Sequence, residues 1–294
     1  ASGAGGRIAL DYATGPFSGN AEAFAGPSSG TDIFDPGGSG TVYYTALHKV
    51  VIDGNNVARS WRERNFDAHP AVVVTGTYDL NTIELVQAGY LEFTSGTTVT
   101  LSSSSVITGD ASGVLTTRGA LILPSSFAIY DYVLDVQGTL TGGANIDVVD
   151  TIDQSGSELY TALGLHAGSS GHVFGDVNIS SRAYLLPYPL DTGDTNYSND
   201  GPFVLQASNI TVQSGGWIWA TGLGYAGGYG TGTGPGAGGG VYDGSYQVGA
   251  GASHGGLGGI STQGWTAFGT GVAYGDAKTP TTLGSSGGAG AFAA

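Results

Sequence analysis

Apolar residues in residues 83–124 come in short alternating runs, each broken by a small or polar turn. Leu85 and Val86 precede Gly89, Leu91 and Phe93. Val99 and Leu101 precede a run of serines, then Val106 and Ile107. Val114 and Leu115 precede Arg118, Gly119, Leu121 and Leu123. The signature returns as Leu134, Val136, Gly138, Leu140, as Val177, Ile179, Arg182, Leu185, and as Ile210, Val212, Gly215, Ile218. A period of two marks half-buried strands, and no segment repeats apolar residues at helical spacing over a dozen positions. The class is therefore all-β. The turn centres near residues 89, 105, 119, 138, 182 and 215 fit coils of about 15 to 22 residues if the two long gaps each hold two coils. This pattern predicts a right-handed parallel β-helix, or β-solenoid, with glycine-rich packed loops, running over residues 1–294 as a single elongated domain.

Two regions depart from the pattern. Residues 48–70 gather Arg59, Arg62 and Arg64 with Trp61 and His69. They read either as a protruding basic loop that contacts an acidic partner, such as the body of a neighbouring copy, or as a solvated connection between coils. Residues 201–294 hold only Asp243, Asp276 and Lys278 as charged side chains, yet they are rich in aromatics. So little charge would leave an adhesive surface unless it is covered. The glycine-rich residues 221–290 are accordingly expected as an excursion packed on the coils, where glycine permits close backbone approach.

Composition narrows the function classes. The 55 glycines accompany 40% hydrophobic residues and no Gly-X-Y period, so the glycine serves a folded backbone rather than collagen or disorder. A formal charge of −15 with only 8 Lys plus Arg argues against nucleic acid, because neutralising phosphates requires clustered cations. Absence of cysteine excludes disulfides and cysteine-ligated metals, and the lack of methionine as well suits a long-lived protein outside the cell. No apolar run is long enough to span a membrane. The expected location is extracellular, at the cell surface.

Candidate chemistry lies in two acidic loops and one aromatic cluster. Asp147, Asp150, Asp153 and Glu158, and likewise Asp191, Asp194, Asn196 and Asp200, offer hard oxygen ligands within about a dozen residues, the donor type calcium prefers. Calcium is the one expected cofactor. Asp and Asn are also ordinary turn formers. The first loop could supply the paired carboxylates of a glycosidase, and Arg182 or His172 the base of a polysaccharide lyase, but nothing in the spacing selects them. Trp217 and Trp219, two apart on one strand face, could form with Tyr225 and Tyr229 a platform for sugar rings; packing explains the same residues. Ice binding would require Thr-X-Thr arrays in register, and the threonines recur irregularly.

GAGGRIAL (residues 3–10), GYGTGTGPGAGGG (228–240), GASHGG (251–256), AYG (273–275) and PTTLGSSGGAG (280–290) resemble the glycine-rich modules of large repetitive bacterial surface and secreted proteins. The resemblance covers about the first 45 and the last 75 residues. It implies an extracellular, repeat-built structural or adhesive protein and no reaction. His254, and the loop bearing Arg59, Arg62 and Arg64, depart from it. Both ends carry a small-residue run leading into an apolar residue: Gly3, Ala4, Gly5, Gly6 and Ile8, and Gly287, Gly288, Ala289, Gly290 and Phe292. These residues are the expected contacts of a head-to-tail polymer of copies of this chain. The leading expectation is thus a structural protein of a cell-surface fibre, matrix or adhesin. The alternative is a β-helix that binds or cleaves surface polysaccharide.

Overall fold

The computed structural model describes residues 6–11, 21–24, 39–54, 72–74, 76–142, 145–152, 161–167, 172–188 and 203–220, with shorter stretches between 225 and 289. Among them the regular structure is β, apart from one 3-10 turn at Thr45–Leu47. The chain divides into two compact units, residues 1–186 with 205–219, and residues 187–204 with 220–294.

The first unit holds a 16-stranded sheet that is parallel at all but one described step. Long strands bend and pass between neighbours, so the sheet branches into three ladders. Thr98–Thr117, 20 residues long, belongs to all three. The first ladder stacks residues 77–80, 98–101, 120–123 and 139–142. The second begins with Arg7–Leu10, Gly40–Tyr44 and Lys49–Asp53 and continues through segments ending at 86, 109, 130, 149, 179 and 212. Its exception is the antiparallel pair Gly40–Tyr44 and Lys49–Asp53, closed by the Thr45–Leu47 turn. The third stacks Val72–Val74, Tyr90–Phe93, 114–117, 132–136, 162–165, 184–185 and Trp217–Ile218.

Alternation along each strand sends every second side chain to the interior, and the register aligns these residues from rung to rung. Val50, Ile83 and Ile107 share one buried column, and Ile146 lies between Phe127 and Val177. On the third ladder Leu91, Leu115, Leu134 and Leu163 do the same. Paired positions Val50 and Ile83, Ile83 and Ile107, and Tyr130 and Val149 are 33, 24 and 19 residues apart, so loops of unequal length return to one register. The gap between residues 182 and 215, expected to hold two coils, is a single rung: Arg182 N donates to the Gly215 carbonyl (2.7 Å).

Corners between the second and third ladders are tight. Gln87, Ala88, Ala111, Asp131 and Arg182 adopt left-handed φ there. Short polar side chains brace these corners: Asp110 accepts from Gln87 N (2.6 Å) and from Ser112, and Asp131 accepts from Thr151 N (2.7 Å). At Gly109 a methyl group would collide with the Asp131 carbonyl oxygen, so glycine is required at this position for the two rungs to stack.

The second unit contains a short parallel pair, Gly228–Tyr229 with Gly288–Ala289, and two antiparallel pairs, Gly240–Tyr242 with Gln247–Gly249 and Ser261–Gln263 with Thr266–Phe268. Tyr225 is buried and its N–H donates to the Gly284 carbonyl (2.9 Å). Tyr274 OH lies 2.7 Å from Ser285 Oγ, and the His254 ring meets the Tyr274 ring edge-on at 4.9 Å.

Candidate functional site

Of the expected calcium ligands, Asp147 and Asp150 fall among the described residues. Asp147 lies on the outward side of the second ladder, where Asn178 of the next rung donates to it (2.7 Å). Asp150 sits in the following corner with its carboxylate 2% exposed, accepts from Ile152 N (3.1 Å), and has Arg182 Nε 3.8 Å away. No group of three or more His, Asp or Glu able to hold a metal occurs among the described residues. Asp153, Glu158, Asp191, Asp194, Asn196 and Asp200 lie outside them, as do Gly3, Ala4, Gly5, Arg59, Arg62, Arg64, Gly287, Gly290 and Phe292.

The two suggested lyase bases are otherwise engaged. His172 is buried, its Nε2 donates to the His166 carbonyl (2.7 Å), and its ring stacks on Phe174. Arg182 faces the Asp150 carboxylate.

A more coherent arrangement occupies the outward side of the third ladder. Glu92, Thr116, Asp135 and Gly164 are aligned across four rungs. Asp135, 1% exposed, accepts from Gln137 Nε2 (2.8 Å) and His166 Nε2 (2.9 Å). Arg118 donates through Nη1 to Gln137 Oε1 (2.5 Å) and through Nε to Glu92 Oε1 (3.1 Å). One hydrogen-bonded chain thus runs from Glu92 through Arg118, Gln137 and Asp135 to His166. A buried carboxylate costs several kcal/mol unless donors surround it, and here Gln137 and His166 supply them. Tyr90 stands in the same wall; burial above all pushes its phenol up to about 12, and the nearby Glu92 and Asp135 charges add to this. Chemically, the chain fixes the orientation of a partly exposed imidazole and guanidinium.

Sequence reading missed this chain. Its signal was present: Glu92 and Asp135 are carboxylates flanked on both sides by apolar strand residues, and Arg118 and Gln137 each precede the glycine of an equivalent turn. Those positions look ordinary until the register aligns them.

Trp217 and Trp219 of the expected aromatic platform lie in the first compact unit, Tyr225 and Tyr229 in the second. Trp217 is 56% exposed and lies beside Tyr184 of the preceding rung, and Trp219 packs against the same tyrosine at 5.7 Å. Tyr225 is buried in the second compact unit. Tyr229 pairs there with Ala289.

The last described rung of the first unit is Leu205–Val212 with Trp217–Ile218. Ile210, Val212 and Ile218 continue the columns of Val177, Ile179 and Leu185. Those three neighbours are at most 1% exposed, whereas Ile210, Val212 and Ile218 are 44%, 41% and 48% exposed. No family model, no curated protein and no solved structure matches this chain.

Proposed function

We propose that the three ladders are the faces of a right-handed parallel β-helix, and that the protein is an extracellular structural element of a surface fibre, matrix or adhesin, built by end-to-end association of copies. The observation that carries this reading is the last rung. Its Ile210, Val212 and Ile218 stand in core columns, yet they meet solvent where a further rung would cover them. Covering three half-exposed aliphatic side chains contributes on the order of 3 kcal/mol. Among the described strands Leu205–Val212 also has a single neighbour, and an edge of that kind can pair with another chain. At the other end of the same ladder Arg7–Leu10, which includes Ile8, likewise has one neighbour among the described strands. Two different edges meeting form a heterologous contact, which propagates unless the rotation closes a ring.

Ile210→Lys or Ile218→Lys places a charge on this surface without touching a filled interior site. Sedimentation of the wild type at rising concentration should show growing assemblies that either variant abolishes, with unchanged circular dichroism. A wild type that stays monomeric at millimolar concentration would overturn the reading.

A further inference from the structure

We propose that the outward side of the first ladder is an adsorption surface for ice, holding water at the spacing of the crystal. Threonines that recur irregularly along the sequence fall into register here. Thr77, Thr98, Ala120 and Thr139 form one outward column, and Asp79, Thr100, Ile122 and Thr141 form the next. Two rungs are therefore Thr-X-Thr, at residues 98–100 and 139–141, although members of the first column are 21, 22 and 19 residues apart in the chain. Val99, Leu101, Leu121 and Leu123 point the other way and are at most 4% exposed. Thr77, Asp79, Thr100, Thr139 and Thr141 are exposed, and Ile122 is 36% exposed. Thr100 and Ile122 stand on inner rungs, so the face is open across its middle and not only at its edge strands.

Rungs lie about 4.8 Å apart, and alternate residues lie about 7 Å apart along a strand. Oxygen rows on a prism face of hexagonal ice repeat at closely similar distances in the two directions. Threonine suits such a lattice because its β-branch restricts χ1, so hydroxyls and methyls on successive rungs keep fixed places. Each hydroxyl can donate once and accept twice toward water, and the methyl beside it restricts the orientations of the water it meets. None of the five threonine hydroxyls bonds to another protein group among the described residues. Asp79, at one corner, is the one charged side chain in the two columns. The other ladders differ outwardly: the second carries the Lys49–Glu84 ion pair and the Asp147–Asn178 bond, and the third carries the chain from Glu92 to His166. A sugar chain is disfavoured because the two columns contain no aromatic ring to stack on it. A partner protein is disfavoured by size, since a stable interface takes about 20 residues from each side. The surface holds no residue of the last rung, so it is separate from the end-on contact.

Partitioning into ice tests the proposal directly: the full chain surrounds a slowly growing ice hemisphere, and the fraction frozen in is compared with that of a soluble control protein. The wild type should enter the ice. Thr100→Tyr, which plants a ring in the middle of the array, should be excluded as the control is. Thr211→Tyr, on the exposed outward side of the second ladder, should enter as the wild type does, with circular dichroism unchanged for both variants. Exclusion of the wild type, equal entry of Thr100→Tyr, or equal loss in Thr211→Tyr would each overturn the proposal. Dispersal of assemblies by Thr100→Tyr in sedimentation would overturn it too, because the face would then be a contact between copies. If Thr100→Tyr disturbed the fold, Ile122→Tyr on the next rung would decide the matter in the same way. Repeating the set in the Ile210→Lys background removes end-on association from the readout, so failure of one reading leaves the other standing.

Discussion

At the residue scale, the interior carries polar atoms that alternation alone does not forecast. Tyr132 is fully buried, and its OH, like Thr117 Oγ1 and Thr161 Oγ1, finds no protein partner. Tyr132→Phe should therefore preserve or raise stability at neutral pH, by up to about 1–3 kcal/mol, since a buried hydroxyl without a bond costs its desolvation. Burial raises the Tyr132 phenol well above its ordinary value, and raises Tyr90 to about 12. Because the folded state holds these protons more tightly, their contribution is fully present below about pH 10, where unfolded tyrosine titrates, and is lost as pH rises beyond it. Alkaline unfolding followed by circular dichroism should begin near that pH, and Tyr132→Phe should move its onset upward. An onset unchanged in the variant would contradict this account.

At the scale of elements, alternating apolar residues revealed strand identity and interior faces, as with Leu91 and Phe93 or Leu121 and Leu123, because a period of two is a local property. Ladder membership was not legible. The recurring signature marks different corners, so counting residues between Gly138 and Arg182 compares unlike positions; only hydrogen bonds such as Arg182 N to the Gly215 carbonyl reveal the rungs. The chain from Glu92 to His166 was hidden for the same reason, since its members are brought together by register alone. Corners impose the strictest local demand. Gly109→Ala would drive a methyl into the Asp131 carbonyl and the Tyr132 Cβ. Backbone on both sides has no room to yield, so the substitution should cost at least about 2 kcal/mol, read as a lowered denaturant midpoint. A midpoint equal to the wild type would show that the corner can relax.

At the scale of the whole molecule, the charge of −15 opposes gathering of copies. Raising ionic strength from 0.01 M to 0.15 M shortens the screening length from about 30 Å to about 8 Å. End-on association driven by Ile210, Val212 and Ile218 should then strengthen with salt, as measured by weight-average mass in sedimentation. Weakening with salt would instead point to ion pairs between the Arg59, Arg62 and Arg64 segment and an acidic neighbour.

The single antiparallel step has one more effect on such a polymer. Gly40–Tyr44 reverses direction against Lys49–Asp53, and Arg7–Leu10 follows Gly40–Tyr44, so the first and last described strands of the second ladder run in opposite senses. When copies of like orientation meet, each junction joins strands of opposite polarity. Its hydrogen bonds then alternate between narrow and wide pairs rather than repeating evenly. A filament built this way has a vibrational rhythm: long parallel blocks punctuated by antiparallel seams, whose amide I signature grows with every copy added.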